Sequence, residues 1–157
     1  MATYIIDTET NGLLKDLTTI HCMVIRDVYT GEFTSYEADG VADGVAFLMA
    51  EAEEDDTLFV GHNLIGFDVP ALTKVYPHFK LPEDKIYDTL VAGRVIFSDM
   101  WDADSKLATT RAFPKRLANR HSLEAWGHRL NCHKGEYNGD TSIEDLDVRK
   151  ETKWDNL

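Results

Sequence analysis

Two carboxylates one residue apart open the question of chemistry. In Tyr4-Ile5-Ile6-Asp7-Thr8-Glu9-Thr10, Asp7 and Glu9 follow an apolar run with the form of a buried strand. Side chains two apart on a strand share a face, so both acids point at one spot as the strand leaves the core. A third acid, Asp68, stands in Gly61-His62-Asn63-Leu64-Ile65-Gly66-Phe67-Asp68, where a short apolar strand gives way to a helix. Each has an ordinary reading. A lone Asp-x-Glu can be a solvated pair at a strand end, Asp68 suits a helix N-terminus, and Asn63 suits a turn. Taken together they suggest another. Three carboxylates meeting at one sheet end repel, and something must neutralise them. Magnesium or manganese held by carboxylate oxygens does so. Two such ions about 4 Å apart are the standard device for cutting phosphodiesters.

The elements that would position these acids alternate along the chain. Residues 3–7 read as a strand, 19–28 as a second and 32–37 as a third, with Thr30-Gly31-Glu32 as a hairpin turn. Residues 43–54 carry apolar positions at 45, 47, 48 and 49 and predict a helix. The stretch 57–63 is a short buried strand ending at Gly61, and 68–76 begins a helix with Pro70 in its first turn. Residues 85–97 predict a short strand running into a helix, with Asp88 near the helix start as a cap. A loop is expected over 98–119, then a helix capped by Ser122. The pattern predicts an α/β fold: a mixed sheet, three antiparallel strands first, flanked by helices.

Composition bounds the function. The chain has 157 residues, suited to one domain, with 43% hydrophobic and 28% charged residues. No run suffices to span a membrane and no secretory signal opens the chain, so a cytoplasmic location is expected. The separated Cys22 and Cys132 read as reduced thiols. Sixteen basic residues against 28 acidic give a net charge of −12. That excludes a protein that grips duplex DNA mainly by counterion release, and leaves a local site or a partner that supplies positive charge. Ser105 to Leu123 is free of acids and carries Lys106, Arg111, Lys115, Arg116 and Arg120. This stretch reads either as a solvated basic loop or as a track for a nucleic-acid backbone, with Phe113 available to stack on a base.

The motifs then add up to a family resemblance. Residues 4–14, Tyr-Ile-Ile-Asp-Thr-Glu-Thr-Asn-Gly-Leu-Leu, resemble the first motif of the DEDD (DnaQ-like) 3′–5′ exonucleases, and His62 to Asp68 resembles the second. The stretches IHCMVI, FDVPALTK, DTLVAGRVI and HSLEAWGHRLNCHKGEY, in that order, resemble the N-terminal proofreading domain of family A DNA polymerases from short-tailed, T-odd-type bacteriophages. The resemblance runs from Tyr4 to Tyr137. It implies a ribonuclease-H-like sheet over residues 1–132, an acidic tail over 133–157, and a phage protein working in the bacterial cytoplasm.

The resemblance also implies roles. Asp7 would bridge two metals, Glu9 would ligate the metal that activates water, and Asp68 would serve the second. The cofactor would be Mg2+ or Mn2+. Thr10, Asn63 and Phe67 would shape the pocket for the terminal nucleotide, and Leu13 is either ordinary loop packing or a wedge between the last two bases. Arg111, Lys115 and Arg116 would hold the strand. The partner would be a single-stranded DNA 3′ end, together with a DNA polymerase chain or a fragment completing the site. One departure stands out. The family's third motif, Tyr-x3-Asp or His-x4-Asp, matches nowhere in this sequence; Tyr137 is followed four residues on by Thr141. Lys150 to Leu157 resembles the approach to that motif, and its Asp would lie shortly beyond Leu157. Asp140, Asp145, Asp147 and Asp155 are acids without the motif and read as a solvated tail. The site is therefore expected to be incomplete in this chain.

Overall fold

The computed structural model describes residues 2–110 and 113–132. Five strands form one sheet in the order β3-β2-β1-β4-β5. They are β1 (Ala2–Thr10), β2 (Ile20–Asp27), β3 (Phe33–Glu37), β4 (Thr57–Gly61) and β5 (Ile86–Asp88). β2 is antiparallel to β1 and β3, while β4 runs parallel to β1 and β5 parallel to β4. This is the expected mixed sheet, with three antiparallel strands first. β1 sits at its centre and runs three residues further than the sequence suggests, so Asp7 and Glu9 stand on the strand itself.

The alternation of β1 decides which way those acids face. Ile6 and Thr8 are buried while Asp7 and Glu9 are exposed, as period-2 geometry requires. The buried face packs Ile6, Met23, Ile25 and Phe59 against helices. Helix α1 (Val41–Ala52) contributes Val41, Val45, Leu48 and Ala52, one stripe at helical spacing. It lies so close to the sheet that a Cβ on Gly44 would come within 2.2 Å of the Met23 side chain. Helix α2 (Asp68–Val75) buries Ala71 and Leu72. The β2–β3 hairpin turns where expected. Asp27 Oδ1 accepts from the N–H groups of Tyr29 (2.7 Å) and Thr30 (3.0 Å), and Gly31 takes φ +75°.

Helix α3 (Thr89–Ile96) follows β5 directly, as expected. The expected loop over 98–119 is a different matter: it contains helix α4 (Trp101–Thr110) and a 3-10 turn at Lys115–Leu117. The buried residue of α4 is Asp104, an acid, so no apolar stripe announced the helix. Helix α5 (Leu123–Leu130) starts at Ser122, whose hydroxyl oxygen accepts from the Ala125 N–H at 3.3 Å. Phe113, Leu117 and Ala125 form a second, smaller core beneath these helices. No helix among the described residues is long and apolar enough to cross a membrane.

Candidate active site

Asp68, at the start of α2, is held by the strand that carries Asp7 and Glu9. Asp68 is buried, with 4% of its surface exposed. Its Oδ1 accepts from the Thr8 hydroxyl at 2.7 Å and from the Thr8 N–H at 3.1 Å. Thr8 lies between Asp7 and Glu9, so the strand that presents two acids also fixes the third. Burial is the largest influence on Asp68; it and the charge of Asp7 outweigh the Thr8 hydrogen bonds and push the carboxyl up to about 6. Among the described residues, no cation is one of the main influences on it. Glu9 lies opposite Cys22 in register, and burial, followed by the charges of Glu37 and Glu9, pushes the Cys22 thiol up. Asp7 adds to that effect, so Asp7 and Glu9 act on one face of the sheet.

The structure thus brings Asp7 and Asp68 into electrostatic contact and sets Glu9 on the face of Asp7. It does not gather all three as ligands. Among the described residues, no group of three His, Cys, Asp or Glu side chains could hold a metal ion. The expected three-carboxylate cluster is not drawn together, and Asp68 has one oxygen turned to Thr8. The chemistry of the donor set still fits a hard divalent cation: oxygen ligands, and a buried carboxylate whose charge is costly without one.

Loops on both sides are held in place. Asn11 accepts from the N–H groups of Thr18 and Thr19 at 3.0 Å, and Lys74 of α2 donates to the carbonyls of Leu14 (2.7 Å) and Lys15 (3.1 Å). Leu17 is fully buried beneath this loop, while Leu13 stays 77% exposed. Thr10 donates to the Gly12 carbonyl at 2.9 Å and shapes the same turn. On the other side Asn63 adopts φ +66°. A Cβ on Gly66 would come within 2.4 Å of Asn63 Oδ1, so a side chain there would displace the Asn63 amide. Phe67, half-buried, precedes α2 and donates its N–H to the Asn63 carbonyl at 2.8 Å.

Asp88 ties this loop down. It caps α3 through the Leu90 and Val91 N–H groups, as expected, and also accepts from Asn63 N–H and Ile65 N–H, both at 3.0 Å. It is therefore a brace behind the second motif.

The basic stretch divides. Lys106 and Lys115 are exposed, and Arg111 lies outside the described residues, as do Tyr137, Asp140, Asp145, Asp147 and Asp155. Arg116 is paired with Glu124 through two contacts. The expectation that Phe113 stacks on a base is corrected. Phe113 is 7% exposed, packed in the small core with the Arg129 guanidinium 5.8 Å from its ring centroid. The sequence reading missed Thr8, whose role depends on a contact sixty residues away, and passed over Arg94, which shows only as one cation in an apolar helix.

Comparison with known proteins bears on this geometry. No family model matches the chain. The DNA-directed DNA polymerase of Escherichia phage T7 is 40% identical over 139 residues, covering 85% of this chain. Over that stretch this chain is similar to part of a phage DNA polymerase. The polymerase of Enterobacteria phage T3 matches to the same extent, 40% over 139 residues. The chain spans 20% of the length of each of these curated relatives. Among solved structures, the exonuclease domain of EXD2 aligns with a TM-score of 0.41 and 15% identity, over 96% of this chain and 70% of that one. The family B DNA polymerase of Pyrobaculum calidifontis aligns with a TM-score of 0.38 and 20% identity, over 52% of this chain and 12% of that one.

Proposed function

We propose that this chain carries the proofreading exonuclease chemistry of a phage DNA polymerase. It hydrolyses the 3′-terminal nucleotide of single-stranded DNA and releases a nucleoside monophosphate. The observation that carries this reading is the pairing of 40% identity to the T7 polymerase with a buried Asp68 that shares its sheet edge with Asp7. Asp7, Glu9 and Asp68 would hold Mg2+ or Mn2+. Bound there, the ions supply charge stabilisation to the phosphoryl oxygens and lower the pKa of water. The chain's own residues do the rest. Thr8 orients Asp68, Asp88 braces the loop of Asn63 and Phe67 against the terminal nucleotide, and Leu13 presents an apolar tip that separates the last two bases.

A second reading has its own support. Among the described residues, no group of three His, Cys, Asp or Glu side chains could hold a metal ion. On that reading the chain is a non-catalytic module that binds a DNA end or a polymerase. An assay on labelled single-stranded DNA with manganese separates the two. The exonuclease reading expects stepwise release of mononucleotides, lost by about 10³-fold in Asp7→Ala, equivalent to about 4 kcal/mol of transition-state stabilisation. It also expects a large gain when a segment bearing Tyr-x3-Asp is appended. Release equal to that of Asp7→Ala, both with and without the appended segment, leaves the binding module.

A further inference from the structure

A cleft of about 680 Å³ opens beside the second motif, between α3 and the start of α5. Its wall carries His62, Asn63, Arg94, Arg120, His121 and Ser122. The volume lies within the range of pockets that hold a small ligand, about 300–1,000 Å³. Its charge is unusual for this chain. In a molecule of net charge −12, the cleft gathers three arginines against one acid, Glu124, and that acid is already engaged by Arg116. Among the described residues neither Arg94 nor Arg120 enters an ion pair. Arg120 donates its Nε to the Arg116 carbonyl at 2.9 Å, which holds its stem in place. His121 is 9% exposed and its Nδ1 has no hydrogen-bond partner among the described residues. Cations without partners in a concave wall concentrate anions there.

We infer that this cleft seats a phosphodiester of the single strand, gripped by Arg94 and Arg120, while the strand's end lies at the Asp7–Asp68 edge. The inference rests on the exonuclease reading for the identity of its ligand. Its placement comes from continuity: His62 and Asn63 line the cleft and belong to the same loop that leads into Asp68. It moves the strand-holding role from Lys115 and Arg116 to two arginines in different elements. Arg116 is occupied by Glu124, whereas Arg94 and Arg120 line the cleft without an ion pair among the described residues. Arginine's planar fork suits phosphate oxygens, and the two histidines and Ser122 add neutral polar contacts.

The test is fluorescence anisotropy of an end-labelled oligothymidylate with the full chain, in EDTA so that nothing is hydrolysed. Arg94→Ala/Arg120→Ala is expected to weaken binding about tenfold and to flatten the slope of log K against log salt by about 1.4, the value for two lost single-strand contacts. Lys80→Ala, exposed and outside the cleft lining, is expected to bind as the wild type. Arg94→Lys/Arg120→Lys, which keeps the charge, is expected to keep the slope; thermal melts confirm that each variant is folded. Unchanged affinity and slope in the alanine double variant overturn the inference. So does an equal loss in Lys80→Ala, or displacement of the oligonucleotide by inorganic phosphate at the same phosphate concentration, which marks a free-anion site. Asp7→Ala separates this from the catalytic reading. It removes hydrolysis in manganese if that reading holds, and leaves binding in EDTA dependent on the two arginines in either case.

Discussion

Two buried aspartates in this molecule are treated in opposite ways. Asp104, 1% exposed, accepts from Arg129 Nε and Nη2, both at 2.8 Å, and from the Asn119 N–H at 2.8 Å. Burial pushes its carboxyl up, but these donors and the Arg129 charge prevail and hold it below the ordinary carboxylate range. The Arg129 guanidinium in turn lies 4.8 Å from the Trp126 ring centroid. Asp68, 4% exposed, has Thr8 but no cation, and carries its proton up to about pH 6. In the α4–α5 region the buried carboxylate is met by Arg129 and by the Asn119 N–H. At the β1–α2 edge no such cation stands by Asp68 among the described residues, and its negative charge costs stability. That difference separates a structural acid from a candidate ligand better than burial does.

The comparison can be broken most severely at Asp104. Removing one partner of a buried pair leaves the other charge stranded, at a cost of about 3–5 kcal/mol. Asp104→Ala is expected to lose about that much in urea unfolding. A loss under about 1 kcal/mol would mean that Arg129 finds other partners and that the region is not self-contained.

Asp68 should respond in the other direction. Its folded pKa of about 6 exceeds the ordinary 3.8, so the native state binds the proton more tightly. The stability from this group is fully present below about pH 4 and is lost as pH rises through about 6. At about 1.36 kcal/mol per pH unit, that is about 3 kcal/mol by neutral pH. Asp68→Asn keeps an oxygen for Thr8 and sheds the charge. It is expected to raise the melting temperature at pH 7.5 and to flatten the fall between pH 4 and 6. A variant less stable than the wild type at pH 7.5 contradicts this account of the edge.

The smallest effect sharpens the contrast. Manganese at ten times its dissociation constant is expected to stabilise the wild type by about 1.4 kcal/mol at neutral pH. The same addition should leave an Asp7→Asn/Asp68→Asn variant unmoved and should not depend on Asp104. Equal stabilisation of wild type and double variant in calorimetry would take the cation away from this edge.

How much of this was legible beforehand follows from the same physics. Strands β1 to β5, the capping roles of Asp88 and Ser122, and the facing of Asp7 and Glu9 all follow from local periodicity and turn chemistry. Helix α4 was not legible, because its anchor is an ion pair with Arg129, 25 residues away, and apolar periodicity is blind to that. Phe113 was misread for a related reason. It lies within a basic stretch, between Arg111 and Lys115, while its neighbours in space are Leu117, Ala125 and the Arg129 guanidinium. The basic run from 106 to 120 is visible as composition, yet only the fold shows that Arg120 shares a cleft with Arg94 while Arg116 is spoken for by Glu124.

One brace has a mechanical consequence. Asp88 joins four backbone N–H groups, two in the loop after β4 and two in the first turn of α3. The loop leads to Asp68 and the helix carries Arg94. A single carboxylate therefore pins the part that would cut to the part that would grip, so the two cannot slide past one another. On the proposed reading, the terminal nucleotide and the phosphodiester held in the cleft would keep a constant separation.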